Sequence, residues 1–214
     1  CSAKLIIQLE KTWGIPALKR LLTVGADGII ISLDDQGQWT NQIRATRQAA
    51  NDLKLQIPVL IEIPDFFMLY DFLPTIAKSN VDAIIVHSAN DPETILAVRK
   101  AVEEAGNRTT VVTWLESLEG SEVLLRVSDG LILSDTLLGS QVNESLSMLV
   151  RQGINLDKLM FLSQNPVCLS DIQDYSDASA YATRTKDYDG IILQTDHLSL
   201  DKVIQFISGL KTAT

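Results

Sequence analysis

DGIIIS, residues 27–32, is a short stretch that recurs along the chain and decides the fold. Three further segments repeat its order of an aspartate, a small residue and a run of β-branched residues or leucine: DAIIVH (82–87), DGLILS (129–134) and DGIILQ (189–194). None of the four alternates apolar with polar residues, which is typical of strands buried on both faces in a parallel sheet. The repeat therefore predicts four buried parallel strands.

Four more apolar runs bring the number of predicted strands to eight: KLIIQL (4–9), PVLIEI (58–63), TVVTWL (110–115) and LMFLSQ (159–164). Helical patterns follow the strands, and the clearest begins at Asp91-Pro92 and ends at Gly106. Other helices are predicted to begin at Pro16 and Ser199. Eight strand–helix units predict a single-domain (β/α)8 TIM barrel over residues 1–214, with an open doubly wound sheet as the alternative.

Composition excludes several classes of partner. The 214 residues carry a net charge of −9, whereas nucleic acids and anionic membranes select for Lys/Arg patches. No apolar stretch reaches the length of about 18 residues that a transmembrane helix needs, and no signal peptide is recognisable. The two cysteines form no disulfide framework or metal-binding spacing. We expect a soluble, acidic protein of a reducing compartment, the cytoplasm or an organelle such as the plastid stroma.

Three stretches in the middle of the chain carry a family resemblance: VDAIIVHSANDPETILAVRKAVEEAG (81–106), VVTWLESLEG (111–120) and VSDGLILSDTLLG (127–139). Together they resemble the catalytic barrel of pyruvate kinase. The resemblance extends to segments 18–27, 44–52 and 170–193, and the strand ends are also similar to the wider group of phosphoenolpyruvate- and pyruvate-binding barrels.

Proteins of the family that the chain resembles carry two further domains, a lid inserted after the third strand and an effector-binding domain after the barrel. Neither is expected here, because only PDFFMLY separates Ile63 from a helix and the eighth helix ends the sequence. The resemblance also implies an altered site. The family's strand-five lysine and metal-binding glutamate correspond to Trp114 and Glu116, and its arginine and asparagine of strand two correspond to Ile30 and Ser32.

The resemblance also assigns family site residues to positions at the ends of strands six, seven and eight. The family's arginine, glycine and metal-binding aspartate after strand six correspond to Asp135, Thr136 and Leu137. Its strand-seven threonine and glutamine correspond to Ser163 and Gln164, which are candidate ligand-binding residues, and its strand-eight glutamate falls on Asp196. Since phosphoryl transfer depends on cations and metal that neutralise the phosphates, the resemblance implies a barrel without kinase activity.

Two functions remain open. The first is a non-catalytic scaffold, assembly or regulatory subunit that needs no cofactor. The alternative is a lyase or aldolase acting on a small oxo-acid with Mg²⁺ or Mn²⁺ held by Glu116 and Asp135, since these cations prefer oxygen ligands. Against a metal site, acidic residues that follow strands are commonly helix caps or solvated. The acidic residues at the predicted strand ends, to which both interpretations apply, are Glu10, Asp34, Asp35, Glu62, Asp65, Glu116, Asp135 and Asp196.

Aromatic and histidine residues mark the carboxyl ends of the predicted strands. Five large aromatic residues indicate either a surface for a protein partner or homo-oligomer, or loop packing that plugs the barrel mouth: Trp13, Trp39, Phe66, Phe67 and Trp114. The only histidines are His87 and His197, which follow strands four and eight. Each is a candidate general base, or a polar surface residue.

Overall fold

The computed structural model describes residues 4–9, 12–33, 37–63, 66–87, 92–115, 122–133, 161–165, 190–195 and 198–213. Within these ranges the chain forms strands β1 (Lys4–Leu9), β2 (Gly28–Ser32), β3 (Val59–Ile63), β4 (Ala83–His87), β5 (Thr110–Leu115), β6 (Gly130–Leu133), β7 (Phe161–Asn165) and β8 (Gly190–Gln194). The helices described there are α1 (Ile15–Thr23), α2 (Trp39–Asp52), α3 (Phe66–Ala77), α4 (Pro92–Glu104), α5 (Glu122–Val127) and α6 (Leu200–Ala213).

The strands agree with the sequence prediction to within two residues at either end. The helix expected between Asp91 and Gly106 is α4, which buries Ile95, Val98 and Val102 on one face as its periodicity requires. Gly106 then takes a φ of +70°, a left-handed conformation that glycine adopts at little cost after a helix. The prediction of an α/β chain is confirmed, and within the described residues a helix follows each of β1 to β5 and β8.

The chain divides into two compact units, and the boundary falls within β3. The first unit comprises Cys1–Leu60 and Asn165–Thr214, and in it β1 pairs in parallel with both β2 and β8. The second comprises Ile61–Gln164, and in it β4, β5, β6 and β7 pair in parallel in that order. Every pairing described joins neighbours in parallel, a pattern consistent with a TIM-barrel-like α/β fold.

The aspartate that opens the repeat ties two strands of the first unit together. One carboxylate oxygen of Asp27 accepts a hydrogen bond of 2.9 Å from the backbone N–H of Leu5, in β1. The backbone N–H of Asp27 donates in return to the Leu5 carbonyl at 2.7 Å. Lys211, in the last turn of α6, lies 3.0 Å from the same carboxylate oxygen. Asp27 therefore fixes the start of β2 against β1 and against a helix.

Asp129 makes the same set of contacts in the second unit. Its carboxylate accepts from the backbone N–H of Val111 at 3.0 Å, and its own N–H donates to the Val111 carbonyl at 2.8 Å. Arg99 of α4 forms an ion pair with the other carboxylate oxygen. The aspartate of the repeat thus has a structural role, because it satisfies a backbone donor at the amino end of the preceding strand.

At Gly28 the small residue of the repeat is required by close packing against Pro58. A Cβ atom on Gly28 would lie only 2.9 Å from the Cγ atom of Pro58, which immediately precedes β3. In the same place the N–H of Ile29 donates to the Pro58 carbonyl at 3.1 Å. A larger side chain at residue 28 would separate these two backbone segments.

Most of the buried side chains on the strands are aliphatic. Every described side chain of β1 and β2 is buried except Ser32, and the described side chains of β4 are buried except His87, which is partly exposed. In the described part of the chain, no helix has the length and apolar character needed to cross a membrane.

The repeat predicts a measurable loss of stability when Asp129 is changed. Replacement by alanine leaves the Val111 N–H without its acceptor, and should lower the free energy of unfolding by about 1.5 kcal/mol. Asp129→Asn keeps an amide oxygen that can accept this bond and should lose about half as much. Urea denaturation followed by circular dichroism measures both.

A matched control is Asp201→Ala. This residue pairs with Arg20 through side chains that are 81% and 56% exposed, and an exposed pair of this kind contributes at most about 1 kcal/mol. Equal unfolding midpoints for Asp129→Ala and the unmodified chain would contradict the structural role of the repeat.

Candidate functional site

Three side chains come together at the carboxyl ends of consecutive strands in the second unit. They are Glu62 of β3, His87 of β4 and Trp114 of β5. His87 and Trp114 are direct partners in the parallel register that begins with Ala83 opposite Thr110. Because side chains alternate along a strand, direct partners in register lie on the same face of the sheet. The carboxyl ends of parallel strands are where α/β proteins place their functional sites.

His87 connects the other two members of this cluster. Its Nε2 atom lies 2.8 Å from Oε1 of Glu62, a hydrogen-bonding distance. Its ring is stacked on Trp114, with ring centroids 5.0 Å apart and an angle of 11° between the planes. The Glu62 side chain is 7% exposed and that of His87 is 19% exposed. Trp114 is buried as well. The imidazole is therefore held on one edge by a carboxylate and on one face by an indole.

The contact with Glu62 constrains the proton positions of the imidazole. An ionised carboxylate can only accept hydrogen bonds, so Nε2 of His87 must carry the proton in this contact. In the neutral ring, Nδ1 then holds the lone pair, and in the charged ring both nitrogens donate. The tautomer of the imidazole is therefore linked to its contact with Glu62.

The first unit has polar contacts of a different kind at the ends of β1 and β2. Nε2 of the buried Gln8 donates to Oγ of Ser32 at 3.4 Å, and Oγ1 of Thr195 donates to the Gln8 carbonyl at 2.9 Å. Ile30 lies two residues before Ser32 in β2, at the position where the resemblance implies an arginine. Its side chain is fully buried. These described residues provide amide and hydroxyl groups and no charge.

Two of the tryptophans belong to the interior of the first unit. Trp13 is 6% exposed and Trp39 is 2% exposed. The backbone of Trp13 is held at both ends by the buried side chain of Gln42, which accepts from its N–H at 2.9 Å and donates to its carbonyl at 3.2 Å. For these residues, and for the buried Trp114, the contacts favour the loop-packing alternative. Their participation in a partner surface stays a prediction.

Several predicted site residues lie outside the described residues. These are Glu116 and Asp135, the candidate metal ligands, together with Asp196 and His197. For Phe66, Phe67, Ser163 and Gln164 the backbone is described and the side chains are not. Among the side chains that are described, no group of three or more histidine, cysteine or acidic residues could hold a metal ion.

The pairing of Glu62 with His87 was not predicted. The sequence leaves His87 open as a candidate general base or a polar surface residue, and Glu62 as a metal-site acid, a cap or a solvated acid. The enclosure of both side chains argues against the solvated alternative for each. One signal was available in PVLIEI, where a single charged residue interrupts an apolar run. A buried charge is retained only when it is paired, so Glu62 required a partner.

The Glu62–His87 contact should be coupled in stability. His87→Phe keeps an aromatic ring against Trp114 but removes one hydrogen-bond donor from a buried carboxylate, and should lower the free energy of unfolding by about 3 kcal/mol. The double change Glu62→Leu with His87→Phe removes the carboxylate as well and should recover more than half of that loss. Chemical denaturation of the two single variants and the double variant gives the coupling energy.

Exposed residues on α4 provide the matched control. Glu103→Leu changes the same residue type on the exposed surface of the second unit, and should be additive with His87→Phe. A coupling energy below about 0.5 kcal/mol between residues 62 and 87 would contradict the contact.

Comparison with known proteins leaves the motifs as the basis of the family resemblance. No protein-family model matches the sequence, and a search of curated proteins gives no match. The relationship to pyruvate kinase therefore stays a prediction made from the residues.

Proposed function

We propose that the chain is a (β/α)8 barrel of the pyruvate kinase type that does not transfer phosphate and acts as a scaffold, assembly or regulatory subunit. Eight strands, six of them followed by a described helix, and the parallel pairings β1–β2, β1–β8, β4–β5, β5–β6 and β6–β7 support the barrel. An open doubly wound sheet is the alternative architecture.

The observation that carries the proposal is the environment of Trp114. At the position where the resemblance implies a lysine, a neutral indole is buried and stacked on His87. A phosphate group brought to this strand end would meet a carboxylate, Glu62, in place of a cation. Because phosphoryl transfer depends on electrostatic stabilisation of the phosphate oxygens, this arrangement opposes the reaction.

The connection between β3 and α3 adds a second argument. Only Pro64 and Asp65 lie between the end of β3 and the start of α3, where the family inserts its lid. Two residues cannot form a nucleotide-covering domain. Ile30 adds a third argument, because an apolar and fully buried side chain replaces a cation of the family there.

The proposed partner surface is the carboxyl-end face of the barrel. Phe66 and Phe67 open α3 close after β3 and are the first residues we assign to it. Trp13, Trp39 and Trp114 are the remaining candidates, although their side chains are buried. Aromatic residues are enriched in the cores of protein interfaces. The occupant is either another protein or a second copy of this chain.

Absence of pyruvate kinase activity is the first expected result. With phosphoenolpyruvate, ADP, Mg²⁺ and K⁺, we expect turnover below about 0.1 s⁻¹, against a typical enzyme value of ~10 s⁻¹. A lactate dehydrogenase-coupled assay measures it, with a genuine pyruvate kinase as the positive control. Faster turnover that scales with the amount of this chain would contradict the proposal.

The partner surface is tested by mass in solution. Light scattering on the purified chain distinguishes a monomer from a dimer, and Phe66→Ser with Phe67→Ser should shift a dimer towards monomer. If the chain is monomeric, a protein partner should co-purify with it when the chain is isolated from cells that contain it at its native abundance. The variant with both phenylalanines changed should lose this partner. A monomer that retains no partner at native abundance would contradict the scaffold role.

A second candidate function is supported by the Glu62–His87 pair, which brings an imidazole and a carboxylate, two residue types used in acid–base catalysis, together at neighbouring strand ends. This is the Mg²⁺- or Mn²⁺-dependent lyase or aldolase acting on a small oxo-acid, with the metal at Glu116 and Asp135. We expect Glu116→Ala with Asp135→Ala to abolish Mn²⁺ binding measured by calorimetry, and the exposed pair Glu103→Ala with Asp201→Ala to leave it unchanged. Absence of heat at millimolar Mn²⁺ with the unmodified chain would eliminate this candidate.

A further inference from the structure

Two large apolar side chains are exposed on neighbouring helices of the second unit. Leu96 of α4 is 48% exposed and Val123 of α5 is 52% exposed. Among the residues that the structure describes, Leu55 is the only other large apolar residue in this exposed class, at 39%. The two helices pack against each other, and both residues lie near the start of their helix. The exposed apolar surface of the second unit is therefore concentrated on the α4–α5 pair.

The helical period directs these two side chains towards the groove between the helices. Arg99 follows the buried Val98 by one position and reaches Asp129, which directly precedes β6, so this flank of α4 faces α5. Leu96 lies three residues before Arg99 and shares that flank. Val123 lies one position before the buried Leu124, and one residue turns a helix by about 100°. Because this step is opposite in sense to the step from Val98 to Arg99, Val123 lies on the flank of α5 that faces α4.

Charged side chains lie on either side of Leu96 along α4. Glu93 precedes it by three residues and Lys100 follows it by four, and all three side chains are exposed. Lys100 forms an ion pair with Glu104 at 3.8 Å, and both of these side chains are largely exposed. An exposed pair of this kind is weak, so Lys100 can exchange it for another acid. The order acid, leucine, base is complementary to itself when two copies of α4 run antiparallel.

We propose that the α4–α5 face, defined by Glu93, Leu96, Lys100 and Val123, is the interface of a weak and reversible homodimer. A twofold axis that crosses α4 just after Leu96 places Glu93 opposite Lys100 of the second copy, and Lys100 opposite its Glu93. Leu96 and Val123 of both copies then meet at the centre. Antiparallel copies of α4 also bring opposite ends of the two helix dipoles together.

The charge pattern identifies the second copy as the occupant. A twofold interface uses the same patch on both chains, so the patch must be complementary to itself. An acid and a base placed on either side of an apolar centre meet this requirement. The face of two helices is smaller than the roughly 1,200–2,000 Å² that stable complexes bury in total, so the dimer is weak. This goes beyond the proposed function and does not rest on it, because it concerns the outer helical face and not the carboxyl-end face.

Reversal of the two charges tests the antiparallel arrangement. Sedimentation equilibrium of the unmodified chain should show the average mass rising from one chain towards two between ~10 µM and ~1 mM. Glu93→Lys alone, or Lys100→Glu alone, places two like-charged contacts in the dimer and should weaken association at least about tenfold. The double change Glu93→Lys with Lys100→Glu restores opposite charges, and should return the dissociation constant to within about threefold of the original. A purely structural role of either residue would not produce this rescue.

The apolar centre is tested with matched substitutions. Leu96→Glu and Val123→Glu each place two charges at the centre of the dimer and should leave the chain monomeric. Leu55→Glu makes the same type of change on the exposed surface of the first unit and should leave association unchanged. Phe66→Ser with Phe67→Ser, at the carboxyl-end face, should leave it unchanged as well. These controls separate this dimer from the partner surface of the proposed function.

The inference is overturned by any of three results with chains that circular dichroism shows to be folded. One is an unmodified chain that stays monomeric at ~1 mM. Another is a double charge reversal that associates no better than the single reversals. The third is a dimer that persists in both Leu96→Glu and Val123→Glu, which would place the contact elsewhere. If one of these two variants does not fold, the other provides the same comparison.

Discussion

The structure depends on a hydrogen bond between the carboxylate of a repeated aspartate and the backbone of the preceding strand. Asp27 makes it to Leu5 in the first unit, and Asp129 makes it to Val111 in the second. Each aspartate also returns a backbone bond to the same residue and holds a cation from a helix. Strand pairing, strand register and helix docking are therefore fixed together at the amino ends. In parallel α/β folds of the barrel type, residues at the amino ends of the strands serve stability, whereas catalytic residues lie at the carboxyl ends.

Register set at the amino ends determines which side chains meet at the carboxyl ends. The N–H of Thr110 donates to the Asp82 carbonyl at 2.9 Å, which aligns the start of β5 with β4. Four residues further on, the same alignment brings His87 opposite Trp114. Their stacking, and the hydrogen bond from His87 to Glu62, follow from a contact made at the other end of the strands. A slip by one residue would direct the alternate set of side chains to this face.

The sequence predicted the parts of the structure that depend on local pattern. Unbroken aliphatic runs such as DAIIVH identify buried parallel strands, and Asp91-Pro92 with Gly106 identifies α4, because propensity and capping act over a few residues. The Glu62–His87 contact joins residues that are 25 positions apart and depends on packing between strands. The same limit applies to Trp39: its place after a strand was evident, but its burial depends on the elements packed around it.

The central claim is that the carboxyl ends of β3, β4 and β5 hold a histidine fixed between a carboxylate and an indole. The proton positions and ring environment of His87 test it most directly, by nuclear magnetic resonance of the chain labelled with ¹⁵N in histidine. We expect an imidazole protonated at Nε2, whose ring protons are shifted upfield by Trp114 and lose that shift in Trp114→Leu. A ring protonated only at Nδ1, or one that averages between tautomers with unshifted protons, would contradict this arrangement of the three side chains.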